Sequence, residues 1–307
     1  MARDAMHSAL GCDQMSASRA FRRHLAAFSL LLAPTGPALP VEVTAADPTI
    51  VAAGDIACPD PCRSQRRTAR LIRMIDPRAV LTLGDNQYED GRFADFMDSY
   101  RPTWGRFKRR THPTPGNHDY HVPGARGYFD YFGRRAHGRS SGMYSVNIGK
   151  WHVVSINTGN GLSDRKLRWV GQNLSNDRHR CELAFWHHPR WSSGSFHGSD
   201  PRMGPLWSVL FRHGVDVALN GHDHLYERFT LMNPRGRRAP STGIRQFTVG
   251  TGGRSLYTAG PHIRGSQRVI DDRFGVVRMK LHPRGYSWRF VAVGGSVLDR
   301  GSHPCHR

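Results

Sequence analysis

The sequence predicts an α/β fold, a four-layer α/β/β/α sandwich of two mixed sheets flanked by helices. Three observations carry this expectation. Short apolar runs alternate with amphipathic segments from Thr49 to Leu219, the grammar of strands followed by helices. Past residue 224 the amphipathic segments stop and strand-like runs follow one another directly. After residue 47 no linker, low-complexity tract or repeat interrupts the chain, so residues 47–307 read as one domain.

Taken in order, Thr49-Ile50-Val51-Ala52-Ala53 is an apolar strand that ends at Gly54-Asp55. Residues 64–75 place Leu71, Ile72 and Ile75 on one helical face, and Asp76-Pro77 stops that helix. Ala79-Val80-Leu81-Thr82-Leu83 is a second buried strand, turning at Gly84 to present Asp85. Phe93, Phe96, Met97 and Tyr100 fall at helical spacing and read as a core-facing stripe. Thr114 to Asp119 is another glycine turn carrying polar residues, and 120–142 reads as an irregular loop. Strands Met143–Ile148 and Trp151–Ile156 form a hairpin across Gly149-Lys150. A helix capped by Ser163 runs to about Leu174. The strand Cys181–Trp186 delivers His187, a Ser/Gly loop over 190–204 contains His197, and Leu206–Arg212 is helical. Val215–Leu219 delivers Asn220 to His224; strands over 225–231, 244–250, 274–281 and 285–293 follow.

The formal net charge is +20, with only Lys108, Lys150, Lys166 and Lys280 among the 44 basic residues being lysine. Such charge favours anionic partners, phosphorylated substrates among them. No Arg-rich helix interleaved with stacking aromatics is present, so there is no specific nucleic-acid signal. Arg19, Arg22, Arg23 and His24 precede the apolar run Leu25–Ala33 and the small-residue patch Thr44-Ala45-Ala46, the three parts of an export signal. Residues 1–46 therefore read as an export signal and pro-region, with Arg22-Arg23 a loose twin-arginine match. The competing reading is an extension from a misplaced start, with Met6 or Met15 the true one. The apolar run has about half the length of a membrane span, so no transmembrane anchor is expected once the signal is removed. Cys12 would leave with it, and Cys58, Cys62, Cys181 and Cys305 would remain. Cys58–Cys62 and Cys181–Cys305 is the preferred of three pairings. Finger-like zinc spacing is absent around Cys58 and Cys62, and Gly250–Gly253 lacks the helix and acidic residue of a dinucleotide loop.

Five predicted strand ends carry metal-competent groups: Asp55; Asp85 with Tyr88; Asn117 beside His118; His187; and His222 with His224. Each has a plain reading alone, as cap, turn residue or satisfied core histidine. Together they suggest a dinuclear centre with Asp85 as bridge, and a phenolate from Tyr88 calls for one strongly charged ion. His222 and His224, two apart, must be bent around two ions by a turn.

The set resembles the calcineurin-like metallophosphoesterase superfamily, specifically its purple acid phosphatase branch. The matching stretches are Asp55-Ile56-Ala57, Gly84-Asp85-Asn86-Gln87-Tyr88, Gly116-Asn117-His118-Asp119, Ala184-Phe185-Trp186-His187 and Gly221-His222-Asp223-His224, in the branch's order. Ala57 and Ala184 depart from its Gly and Val; phosphodiesterase and nuclease members place a histidine ligand at position 57. The resemblance implies the metallophosphoesterase fold, in a stand-alone catalytic form, and two metal ions, Fe(III) plus a divalent Zn, Mn or Fe. Asp55, Asp85, Tyr88 and His224 would hold the first, and Asp85, Asn117, His187 and His222 the second. It also implies direct in-line attack on a phosphate monoester by a metal-bound hydroxide. His118 resembles the histidine that contacts phosphate or protonates the leaving alcohol, with Asp119 to orient it. His197 matches a second such histidine by spacing, against the alternative of an exposed loop residue. The expected partner is a phosphorylated small molecule or phosphoprotein. The alternatives are a phosphodiesterase or nuclease on the same scaffold and a non-enzymatic exported anion binder.

Overall fold

The computed structural model describes residues 46–59, 63–137 and 142–306. The expected export segment lies outside the described residues, apart from Ala46. Thirteen strands among the described residues form two mixed sheets. The first orders β13 (Val297–Pro304), β12 (Gly285–Ala292), β11 (Gly275–His282), β1 (Thr49–Ala53), β2 (Ala79–Leu83) and β3 (Thr111–Thr114). The second orders β10 (Ser266–Ile270), β8 (Tyr226–Met232), β9 (Ile244–Val249), β7 (Val217–Asn220), β6 (Cys181–Phe185), β5 (Trp151–Ser155) and β4 (Tyr144–Ile148). Within each, the strands that precede the predicted ligands run parallel: β1–β2–β3 in one, β5–β6–β7 in the other. Their carboxyl ends therefore share one edge of each sheet.

Side-chain alternation assigns the cores. On β5, β6 and β7, Val153, Leu183, Phe185, Val217 and Leu219 join the core shared with Ile50, Val80, Val277 and Phe290 of the other sheet. The intervening Val154, Ala184 and Ala218 pack on Val170 and Leu174 of α4 (Asp164–Ser175) and Leu206 and Leu210 of α5 (Gly204–Arg212). Helix α1 (Ser64–Ile75) buries Leu71 and Ile72 and ends at Asp76 in the left-handed conformation. Ser163 caps α4 by accepting from the Lys166 amide at 3.4 Å, and the hairpin pairs Ile148 with Trp151 across Gly149.

Three differences from expectation have local causes. The 93–100 stripe is a short helical turn, α2 (Phe93–Asp95), widening into a π-turn over Phe96–Tyr100; Phe96 and Tyr100 are buried, but Phe93 is exposed. The region expected to be an irregular loop contains α3 (Arg126–Phe132), whose Tyr128, Phe129, Tyr131 and Phe132 are buried while flanking glycines mask the periodicity. Strands β10 and β13 carry few apolar residues and sit at sheet edges, so they lack an apolar signature.

Several links join the sheets, among them a disulfide and a shared carboxylate. Cys181 at the start of β6 is disulfide-bonded to Cys305 after β13, with Cα atoms 5.5 Å apart. Cys58 is disulfide-bonded too, and its expected partner Cys62 lies outside the described residues. The carboxylate of Asp299 on β13 accepts from Tyr226 Oη (2.6 Å) and Arg228 Nε (2.7 Å) of β8, and from Trp288 Nε1 (3.0 Å) of β12. Burial alone would raise the Asp299 carboxyl, but the hydrogen bonds and charge of Arg228 hold it below the usual carboxylate range. Its contribution is therefore complete above the ordinary Asp value and lost as pH falls through the lowered one. Asp299→Asn should cost about 2–3 kcal/mol at neutral pH, and the gap from wild type should close on acidification; urea unfolding across pH measures both.

Candidate metal centre

The six-stranded sheet delivers Asp55 after β1, Asp85 and Tyr88 after β2, and Asn117 and His118 after β3. The seven-stranded sheet delivers His187 after β6, and His222 and His224 after β7. Asp55, Asp85 and His222 all adopt positive φ, at 60°, 46° and 72°. Left-handed backbone costs a non-glycine residue on the order of 1–3 kcal/mol. Here it bends the chain abruptly enough to aim side chains across the gap between strand ends. Gly84 makes room: at φ +90°, a Cβ there would lie 2.4 Å from His187 Nδ1. Gly116 does the same for Asp85, whose Oδ1 would stand 2.1 Å from an added Cβ.

The side chains converge in two groups sharing Asp85. Tyr88 Oη lies 2.9 Å from Asp55 Oδ1, 2.9 Å from Asp85 Oδ2 and 3.0 Å from His224 Nε2. His187 Nε2 lies 3.2 Å from Asp85 Oδ2, 3.1 Å from Asn117 Oδ1 and 3.2 Å from His222 Nδ1. The acids are fixed from behind by backbone: the His222 amide donates to Asp55 Oδ2 and the His118 amide to Asp85 Oδ1, each at 2.9 Å. The Leu83 carbonyl 2.8 Å from His187 Nδ1 can only accept, so Nδ1 carries a proton and Nε2 is the nitrogen that faces the centre. Ser255 Oγ holds His224 Nδ1 at 2.8 Å.

Electrostatics describe a set waiting for cations. Burial, then the charges of Asp55 and Asp85, push the Tyr88 phenol well above its ordinary value. Burial also opposes ionisation of Asp85, but attraction to His187 and a hydrogen bond with it win and hold that carboxyl far down. His187 pays a burial penalty as well, yet Asp85 lifts it to about 9. His222 is driven far down by burial and by His187. The donor chemistry fits two ions: carboxylate and phenol oxygens around Tyr88 suit a hard, highly charged one, while amide and imidazole suit a divalent one.

His118 packs on the Tyr88 ring with centroids 4.3 Å apart. Its Nδ1 donates to the Glu89 carbonyl at 2.6 Å. That carbonyl, not Asp119, sets the ring. The fully buried Asp119 carboxylate instead accepts from the Gly116 amide (2.9 Å) and from Asn86 Nδ2 (3.0 Å), tying the turns after β2 and β3 together. His197 is exposed and stacks on His222 with centroids 3.9 Å apart. Asp223 steadies its loop, accepting from the amides of His197 (3.3 Å) and Gly198 (3.1 Å). The sequence reading missed Asp223, Ser255 and Tyr257, whose ring stacks on His224 at 3.9 Å. It also missed His188, which faces His222 at 4.5 Å and lines a cavity of about 590 Å³ with Asn117, Thr158, Leu162, Arg202 and His222. His188, adjacent to a proposed ligand, was the detectable one; Ser255 and Tyr257 belong to no motif.

The model of the family described as calcineurin-like phosphoesterase matches residues 48–226. The chain belongs to that family. Among curated relatives it is 28% identical over 206 residues to purple acid phosphatase 21 of Arabidopsis thaliana, covering 61% of this chain and 46% of that one. It is 26% identical to acid phosphatase type 7 of Homo sapiens, covering 59% and 47%. The chain thus spans about half the length of these relatives, which place its resemblance in the purple acid phosphatase branch. Among solved structures, a purple acid phosphatase from yellow lupin seeds superposes with TM-score 0.70 at 17% identity, over 85% of this chain and 54% of that one. GAP50, an anchor in the inner membrane complex of Plasmodium, superposes with TM-score 0.65 at 14% identity, over 86% and 90%. Both likenesses concern the fold, so function must be argued from the site.

Gly84→Ala should displace the His187 ring and lower metal content per chain after loading and dialysis, with the circular dichroism spectrum retained. Unchanged content would show that the turn tolerates the extra carbon.

Proposed function

We propose that the chain is an exported, dinuclear metal-dependent phosphomonoesterase of the acid phosphatase kind. The observation that carries the reading is the pair of donor groups sharing Asp85, with Tyr88 Oη within 3.0 Å of Asp55, Asp85 and His224. Asp55, Asp85, Tyr88 and His224 would hold Fe(III), and Asp85, Asn117, His187 and His222 a divalent Zn, Mn or Fe. Bound there, the pair supplies Lewis acidity and activates water for in-line displacement at phosphorus. The protein's part is orientation and proton delivery. Backbone amides fix the two carboxylates, and His118, its Nδ1 held on the Glu89 carbonyl, is assigned to protonate the leaving alcohol through Nε2–H. His197, stacked on His222, is assigned to phosphate contact. Asp119 acts at one remove, holding the turn that presents Asn117 and His118.

In this reading residues 1–46 are the export signal and 47–307 a single catalytic domain. The Cys181–Cys305 disulfide supports an oxidising destination, and no helix among the described residues is long and apolar enough to cross a membrane. The substrate is a phosphorylated small molecule or phosphoprotein. Diester hydrolysis is the second reading; the basic charge favours it, and Ala57 with Tyr88 disfavours it.

Turnover of a nitrophenyl monoester against its bis-ester separates the two, and diester preference would defeat the first. Asp85→Asn should remove activity and metal loading together. His118→Ala should lower kcat by roughly 10²–10⁴-fold with both metals retained; a silent variant would remove it as the acid. The Fe(III)-loaded protein should show a visible phenolate charge-transfer band that Tyr88→Phe abolishes, whereas a colourless loaded protein would overturn the ferric assignment.

A further inference from the structure

A second group of metal-competent side chains lies at the opposite ends of the same strands. His152 on β5 and Glu182 on β6 are register partners, so their side chains share a face of the sheet. By alternation it is the face that carries Val154 and Ala184 against α4. Asp177 sits just past the end of α4, in the connection leading to β6. One ligand atom from each of His152, Asp177 and Glu182 falls within 4.8 Å of the other two. His152 is 3% exposed and Glu182 0%, so neither is a surface group that solvent explains.

The telling atom is His152 Nδ1. It is buried without a hydrogen-bond partner, 3.8 Å from Asp177 Oδ1, too far for a bond but close enough to share a small ion with it. A buried ring nitrogen left unmatched costs on the order of 1–3 kcal/mol, and a cation lying between it and the carboxylates removes that cost. Burial lowers the His152 pKa, which favours the neutral imidazole that binds metal. Asp177 is already oriented: its Oδ1 accepts from the His179 amide at 2.7 Å and lies 3.0 Å from His179 Nδ1. The His179 ring stacks beside His152 with centroids 6.2 Å apart, on the more exposed side of the group.

We propose that His152, Asp177 and Glu182 form a further metal site, separate from the candidate centre, that takes one divalent cation of the zinc type. Mixed imidazole and carboxylate donors in this number suit zinc; calcium asks for six to eight oxygens. His179 and solvent lie on the side where a fourth ligand would enter. Such an ion ties the α4–β6 connection to the first residues of β5 and β6. Glu182 lies near the start of β6 and His187 just past its end, five residues on, so the ion steadies the strand that presents His187 without touching substrate.

The test uses the full chain, stripped with chelator and titrated with zinc sulfate alone, with bound zinc counted by elemental analysis and thermal unfolding followed in parallel. Wild type should bind one equivalent more than His152→Ala, and that equivalent should raise Tm in wild type only. Asp177→Asn, a near-isosteric change at a partly exposed position, should weaken the same equivalent by roughly 10-fold or more; it carries the test should His152→Ala not fold. Turnover of a phosphomonoester should be unchanged in Asp177→Asn at 25 °C, which keeps this site distinguishable from the candidate centre. Equal zinc stoichiometry and equal zinc-induced Tm shifts in wild type and Asp177→Asn would overturn the proposal and leave a buried polar network only.

Discussion

The constraint on which the rest depends is the enforced approach of two buried acids, Asp55 and Asp85, to one phenol oxygen. At 2.9 Å on either side of Tyr88 Oη, these groups sit where water is excluded and their repulsion is weakly screened. No isolated peptide would hold them so. The amides of His222 and His118 grip one oxygen of each acid, the rings of His187 and His224 lie against Asp85 and Asp55, and left-handed backbone at Asp55, Asp85 and His222 keeps the groups aimed. The stability of two packed cores maintains an arrangement that is locally unfavourable.

That arrangement is possible because neither sheet owns the centre. One contributes the acids, the phenol and the amide; the other contributes the imidazoles. The parallel runs β1–β2–β3 and β5–β6–β7 end on matching edges, and the core of Leu183, Phe185, Leu219, Ile50 and Val80 sets their separation. Asp299 and the Cys181–Cys305 bridge then fasten the sheets through strand β13 and the residue that follows it. The binding geometry is thus a property of how two layers are bolted together, more than of any one loop.

How much of this could be read in the chain follows from what kind of signal each part leaves. The strands before Asp55, Asp85, His187 and His222 were legible because each is a short, mainly apolar run closed by glycine or a polar turn, whereas Thr111–Thr114, before Asn117, is THPT and shows no apolar run. The helix over Arg126–Phe132 was not, since four aromatics among glycines show no clean period until the core receives them. Strand Val297–Pro304 carries Asp299, Arg300, Ser302 and His303 with no apolar alternation, and it becomes a strand only through pairing with Gly285–Ala292. Tyr257 and Ser255 act on His224 by tertiary contact alone, which no local pattern encodes. The Glu89 carbonyl that orients His118 is a backbone atom, invisible to any reading of side-chain types.

The hydrogen bond from His187 to the Leu83 carbonyl carries an implication for how this protein can vary. It spans from the end of β6 in one layer to the last residue of β2 in the other, so ring position is referenced to the opposite layer's main chain. Any change in interior volume that thickens or thins the gap between layers will be transmitted to that nitrogen as a displacement. The position of that ring is consequently tunable from deep within the hydrophobic filling, by residues that never touch it.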